Sequence, residues 1–397
     1  MSAVSPPRGA LLLGADYRAL GVARSLGRRG VPVWMLAEPG EPLAMVSRYL
    51  RRRIRWPHAG ARDRVAFLRR LAESHGLGGW AVIPTSDGAT AMVSRSYDEL
   101  AQHYVHTTPS WDVVRWAYDK RLTYQLAQRV GVPCPPTLQL GARFDPTTAS
   151  VSFPAVLKPA IKEDVNALTI DKAWRVDDRE QLERRYRLAC ELMDPQLLML
   201  QELVHGGGEA QLSYAALCRQ GVPLAWLTAR RTRQYPADFG RASTFVETVD
   251  CREIVDPSLR LLAELRYTGL IEIEYKRDPR DGAVKLLDMN PRVWGWHTLC
   301  GRAGVDFPWL LWLLVCGEQV PSPEARVGVR WLRLATDAPM AVRELLGHRL
   351  GVREYAWSLR RPRESAIFAW DDPLPGLAEL PVLAYVLVRR LSQRQPV

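Results

Sequence analysis

The run IEIEYKRDPRDGAVKLLDMNPRVWGW (271–296) gathers the side chains best suited to chemistry. PRDG within it is a tight-turn signal, so GLIEIEYKRD and GAVKLLDMN (269–290) read as the two strands of a hairpin. Glu274 then stands near the end of one strand. Asp288 and Asn290, two residues apart, share a face of the next. Two carboxylates and an amide oxygen converging on one spot are the hard oxygen ligands that magnesium prefers, with phosphates completing its shell. Asp and Asn are poor strand residues, and here they interrupt an otherwise apolar run. The alternative for the same three residues is a solvated strand face.

A second constellation is cationic. Lys158 ends the apolar strand of FPAVLKPA (153–160), where an ammonium is costly without an anionic partner. Lys120 opens a helix, opposing its dipole, which a nearby anion would explain. Each alone is more often a surface lysine; with the hairpin they suggest a polyphosphate held between cations. Arg230, Arg231 and Arg233 crowd ARRTRQYPADFGRAS (229–243), read as a loop between two strands. An arginine fork grips a carboxylate bidentately, and an exposed charged loop is the alternative. Trp294, Trp296 and His297 are candidates to line the same pocket, or to be core residues.

The elements that must position these residues follow from the rest of the chain. GALLLGADYRALGVARSLGRRGVPVWMLA (9–37) reads strand, helix, strand, a βαβ opening with a parallel sheet and ligands near its carboxyl edge. Gly14 and Gly21 are seven apart, so the dinucleotide fingerprint is missing. WAVIPTSDGA (80–89) ends in Thr85, Ser86 and Asp87, polar residues at a strand's carboxyl mouth. TTPSWD (107–112) marks a boundary, and a helix over 119–130 stops at Gly131 before VPCPP. Beyond it come largely antiparallel strands: 151–160, 197–204, the hairpin 210–229 and 244–250, then a helix over 257–267.

The chain of 397 residues carries a net charge of +11, most of the excess being arginine in short clusters. No finger, basic heptad stripe or aromatic RNA-binding signature accompanies it, so a solvated arginine-rich surface is favoured over nucleic-acid binding. Six cysteines without paired spacing argue against a disulfide framework or zinc site and for a reducing, cytoplasmic setting. The N-terminus lacks a signal-peptide pattern, and the apolar runs 307–317 and 380–388 are too short to span a bilayer. The segment 376–395 has some amphipathic character; packing on the fold is favoured over a weak peripheral membrane contact. A Ser–His–Asp or Cys–His arrangement is absent.

The order DKRLT (119–123), FPAVLKP, QELV, GGGEAQLSY and EIEYKRDPRDGAVKLLDMNPR resembles the ATP-grasp superfamily of carboxylate–amine and carboxylate–thiol ligases. Within it, the KRDPRDG…NPR-x-WGW pattern is most like that of the ATP-grasp carboligases. The resemblance covers about residues 8–320. It implies an α/β βαβ (pre-ATP-grasp) domain over 1–107 and an α+β ATP-grasp domain over 108–320, in subdomains 108–200 and 201–320. A C-terminal, mainly helical extension over 321–397 completes the expected layout.

Carried onto this chain, the resemblance implies that Lys120 and Lys158 hold the phosphates of ATP, and that Gln201, Glu202 and Val204 form the adenine hinge. Glu209 would bind the ribose hydroxyls, and Glu274, Asp288 and Asn290 one or two Mg²⁺, with Mn²⁺ as the alternative. Arg292 would face the transferring phosphoryl group, and Arg233 the acid substrate. A glycine-rich phosphate lid is missing from 160–174; Lys162, Asn166, Thr169 and Lys172 could replace it or form a solvated loop. The activity implied is ATP-dependent ligation of a small carboxylate to an amine, the alternative being a non-catalytic nucleotide-binding or regulatory protein on the same fold.

Overall fold

The computed structural model describes residues 6–38, 43–57, 60–141, 143–161, 166–235, 242–347, 350–360, 363–379 and 381. Leu11–Leu13, wholly apolar, lies at the centre of a five-stranded parallel sheet, as befits a strand buried on both faces. The strands stand in the order Leu50–Arg55, Val33–Ala37, Ala10–Leu13, Trp80–Pro84, Tyr104–His106. Asp16 starts the helix Tyr17–Gly27 by accepting from the amides of Arg18 and Ala19, and Ser86 does the same for Asp87–Arg95 through Ala89. Both helices therefore begin at the carboxyl edge of this sheet.

Two further sheets follow, the smaller antiparallel and the larger antiparallel except for its last pair. Thr137–Gln139, Leu198–Glu202, Ala155–Pro159 and Trp174–Val176 form the smaller, with the helix Arg179–Leu192 against it. The larger has seven strands in the order Val284–Asn290, Gly269–Arg277, Gln211–Arg219, Val222–Tyr235, Ala242–Val249, Arg330–Leu332, Arg363–Ser365. Its first two strands are the expected hairpin. One core joins this sheet to the parallel one through Trp294, Trp296, Phe307 and Trp331. The apolar run 307–317 is spent there: among the described residues no single helix is long and apolar enough to cross a membrane. His297–Ala303 and Phe307–Val315 qualify only as a pair bent by 91°. All six cysteines are free thiols.

One expectation is corrected. The arginines of 229–243 do not occupy a loop: Arg230, Arg231 and Arg233 lie within the strand Val222–Tyr235. Its pairing with Ala242–Val249 is irregular between Arg230 and Arg233 and again at Gln234, which re-aims neighbouring side chains. The segment 321–397 is mostly helical where its described residues are regular, and it also lends two short strands to the large sheet. Arg330–Leu332, three buried residues too short to signal a strand, pair with Ala242–Val249, and Arg363–Ser365 pair with them in turn. Helices Leu334–Leu346 and Val352–Ser358 lie between these edge strands. Most of 376–395 lies outside the described residues.

The C-terminal part also reaches the first helix. Arg24 donates to Asp372 Oδ2 at 3.0 Å, to the Asp372 carbonyl at 2.7 Å and to the Ile367 carbonyl at 2.6 Å. Asp372 further accepts from Ser47 Oγ (2.7 Å) and the Arg48 amide (3.0 Å), and is 1% exposed. Removing one partner of a buried ion pair strands the other. Asp372→Ala is expected to cost about 3–5 kcal/mol, read as a lower midpoint in chemical denaturation; an unchanged midpoint would refute the tie.

Candidate functional site

The hairpin register sets Glu274 directly opposite Asp288 and Glu272 opposite Asn290. All four side chains line one cavity of about 310 Å³. Asn290 Nδ2 donates to Glu274 at 2.9 Å and to Glu272 at 3.2 Å. Glu272 also accepts from Trp296 Nε1 (2.8 Å) and Ser213 Oγ (3.1 Å). Burial, reinforced by the charge of Glu274, pushes the Glu272 carboxyl up to about 7. Burial works the same way on Glu274, but Arg231 and Lys172 prevail and hold it below the ordinary range.

Cations reach this cluster from three directions. Lys120, first residue of the helix Lys120–Arg129 that Asp119 caps, is ion-paired with Asp288. Arg231, from the strand Val222–Tyr235 on the far side of Gln211–Arg219, pairs with Glu274 and is itself buried. Arg292 follows the hairpin and forks onto Asp87 at 2.5 and 3.1 Å, while touching Asn290 Oδ1 at 3.2 Å. Asp87 thus brings the carboxyl edge of the parallel sheet, with Tyr17 and Arg18, into the wall of the cavity. Thr169 and Lys172 close another side. Asn166 stays out of the lining and caps the turn Ala167–Asp171 with Thr169, and Lys162 lies outside the described residues.

A second recess of about 150 Å³ adjoins the first, sharing Lys120, Lys172, Arg231, Glu274 and Asp288 with it. Lys158, Gln201, Glu202 and Val204 line it, so the strand Leu198–Glu202 brings the expected hinge residues beside the strand-end lysine. Lys158 Nζ donates to Gln201 Oε1 at 2.7 Å and to Tyr124 Oη at 2.9 Å. Burial pushes the Tyr124 hydroxyl up, which keeps it a neutral partner. Gln201 is fixed in turn by Thr137 Oγ1 at 2.7 Å, and Glu202 by Arg280 at 2.6 Å. Glu209 sits on the turn Gly208–Ala210, accepts from the Gly207 amide at 3.0 Å and stands outside the lining of the recess.

The crowding of carboxylates tests the fit of a metal. Glu272 is driven toward its neutral form by burial and by its neighbour's charge, a strain that a divalent cation relieves. Among the described residues no three His, Cys, Asp or Glu side chains suffice to hold an ion. Glu274, Asp288 and Asn290 offer two carboxylates and an amide, which fits magnesium shared with phosphate oxygens and not an all-protein cage.

Arg233, like Glu209, is an expected site residue that lines neither cavity, and the fold engages it elsewhere. Its guanidinium forks onto the fully buried Asp337 at 2.8 Å twice, donates to Ser358 Oγ at 3.1 Å and lies over Phe245. Within the same cluster, Arg231 lines both cavities, because the irregular pairing between it and Arg233 separates their surroundings. Trp296 lines the cavity, whereas Trp294 and His297 are core residues. Glu272 was missed, although it stands two residues before Glu274 on one strand and alternation puts both on one face. Asp87 had only its place at a strand's mouth to mark it.

No family model matches the chain. Against solved structures, the L-amino acid ligase of Bacillus licheniformis aligns at a TM-score of 0.62 and 16% identity, covering 78% of this chain and 75% of that one. The β,γ-ATP complex of biotin carboxylase from Campylobacter jejuni aligns at 0.63 and 16%, covering 81% and 74%. An ADP complex of N5-carboxyaminoimidazole ribonucleotide synthetase aligns at 0.62 and 14%, covering 82% and 81%. The chain has the ATP-grasp fold. In sequence, the D-aspartate ligase of Enterococcus faecium (strain Aus0004) is 20% identical over 223 residues, 54% of this chain. The chain spans about half the length of that relative, 53% of it.

Two outcomes follow from this geometry. Arg233→Lys keeps the charge and loses the fork onto Asp337. It is expected to lower stability by about 1–3 kcal/mol while leaving nucleotide affinity unchanged; weaker nucleotide binding without loss of stability would return Arg233 to the site. His297 is buried, donates through Nδ1 to the Trp294 carbonyl at 2.9 Å, and burial lowers its pKa to about 4. Between that value and the ordinary 6.5 the unfolded chain binds a proton that the native one does not, so stability falls as pH drops through this window. The loss reaches up to about 3 kcal/mol, and urea titrations of His297→Gln should show a flatter profile from pH 6.5 to 4.

Proposed function

We propose that the chain is an ATP-dependent ligase that activates a small carboxylate as an acyl phosphate and passes the acyl group to an amine. The observation that carries this reading is the continuity of the two cavities: the Lys158–Gln201 recess opens onto the carboxylate hairpin through shared Lys120, Lys172 and Arg231. A nucleotide base beside Gln201, Glu202 and Val204 would have its phosphates pass Lys158 and Lys120 and end at Glu274, Asp288 and Asn290. The relatives' names, L-amino acid ligase and D-aspartate ligase, support an acid–amine reaction.

Residue roles follow from charge and position. Mg²⁺ held by Glu274, Asp288 and Asn290 would neutralise charge on the β- and γ-phosphate oxygens when bound. In the first step a substrate carboxylate oxygen attacks the γ-phosphorus and the bond to the β-phosphate oxygen breaks, releasing ADP. Arg292 and Arg231 line the space where that carboxylate and the transferring phosphoryl group must meet, and they offset the negative charge gathered there. In the second step a neutral amine attacks the acyl carbon, phosphate departs, and the nitrogen sheds a proton. Asp87 holds Arg292 from the parallel sheet, so the arginine is aimed before substrate arrives. The division into a domain over 1–107 and an ATP-grasp domain over 108–320 is part of this proposal.

The deciding experiment is a screen for ADP or phosphate release over carboxylates, with and without amines. Release that requires an acid supports the ligase; nucleotide binding without acid-dependent release would favour a regulatory nucleotide-binding protein. Asp288→Asn keeps the packing of its strand but supplies no negative charge to the metal, so turnover is expected to be abolished in a folded protein. Wild-type ADP release at low magnesium by that variant would refute the metal site. Lys158→Ala should weaken MgATP binding by about 1.5–3 kcal/mol in isothermal titration with the fold retained, and an unchanged affinity would remove Lys158 from the phosphate site.

A further inference from the structure

A separate recess of about 210 Å³ opens at the carboxyl edge of the parallel sheet. The chain leaves the strand Ala10–Leu13 toward Val33–Ala37 on one side, and leaves its other neighbour, Trp80–Pro84, toward Tyr104–His106 on the opposite side. The two connections diverge, and in open α/β sheets such a switch point is where ligands enter. Gly14, at φ +127°, keeps the first connection tight against Thr85, whose amide and hydroxyl both donate to the Leu13 carbonyl.

Leu13, Met92 and the buried indole of Trp56 form apolar walls. The charged lining is internally compensated. Arg64 forks onto Glu38 at 2.5 and 2.9 Å and lies 5.1 Å from the Trp56 ring centre, and Arg18 donates to Asp16 at 2.6 Å. Among the described residues a ligand with net charge finds no unbalanced counter-charge here, whereas a peptide group or a zwitterionic end meets both donors and acceptors. Arg18 lines the main cavity as well, so the recess begins where the proposed acyl-transfer site ends.

Building on the ligase reading, we infer that this recess takes the distal part of the amine substrate, and that the amine is peptide-like: its amino group reacts in the main cavity while a net-neutral remainder lies beyond Arg18. The added space is of the order of one amino-acid residue.

Gly88 lines the recess, is exposed, and a Cβ there meets nothing within 4 Å, so the backbone admits a side chain at this wall and Gly88→Leu is the variant chosen to narrow the recess. Wild type and this variant, each saturated with MgADP, are titrated calorimetrically with glycinamide and with the C-amidated dipeptides Gly-Gly-NH2 and Gly-Gln-NH2, whose parts beyond the amino group are uncharged. The expected result is dipeptide amide affinity at least tenfold above that of glycinamide in wild type, cut at least tenfold by Gly88→Leu. Glycinamide and MgADP affinities stay within twofold. Dipeptide amides that do not bind wild type, or bind both proteins equally, overturn the inference. Should Gly88→Leu also lose MgADP, Ala89→Leu on the same wall carries the test. The two readings fail differently: absence of acid-dependent ADP release removes the ligase, whereas ADP release without recess-dependent dipeptide binding removes only the peptide-like amine.

Discussion

Three carboxylates on one hairpin repel one another, and the surroundings of the site answer that repulsion. Glu272, Glu274 and Asp288 are set by strand register, so they cannot move apart without breaking the ladder between Gly269–Arg277 and Val284–Asn290. Their charge must be met by groups brought to them. Lys120 comes from a helix start, Arg231 from the middle of the large sheet, Lys172 from the end of a short turn, and the Asn290 amide from the hairpin itself. Where these fall short, burial pushes the Glu272 carboxyl above its ordinary range, toward the neutral form. A polar cluster of this kind is stable only when its members are satisfied together, which ties the positions of four elements to one another.

The same logic explains why the parallel sheet packs where it does. Its carboxyl edge presents Asp87 to Arg292, a residue that immediately follows the hairpin, and one apolar core joins the two sheets behind that contact. Asp87 is part of the first turn of its helix, and its fork onto Arg292 leaves the arginine in contact with Asn290. The ion pair is partly exposed on the aspartate side, at 41%, so an incoming anion can compete for the guanidinium without a large desolvation cost.

How far the site could be read in the sequence depended on whether its contacts are local. Glu274, Asp288 and Asn290 were legible because a turn signal sets the pairing of adjacent strands and alternation sets the face. Lys158 and Lys120 stood out because each opposes its own local environment, an apolar strand and a helix dipole. Glu272 obeyed the same alternation, but its role depends on burial by Trp296 and Ser213, which no spacing announces. Choosing between Arg231 and Arg233 required knowing the ladder irregularity between them and the position of Asp337, 104 residues further on. The strands at 330–332 and 363–365 were illegible for a related reason: three residues carry no period, and only the open edge of Ala242–Val249 makes them strands.

The tie between Arg24 and Asp372 gives the chain a closed connectivity. The first helix and a turn 348 residues later share a buried charge pair, so the parallel sheet is not a detachable module placed ahead of a catalytic body. Exchanging this N-terminal layer for that of another protein with the same fold would cut across the clasp and strand a buried guanidinium. Recombination that preserves the molecule must therefore carry both ends of the chain together, and inheritance of the first layer is coupled to inheritance of the last.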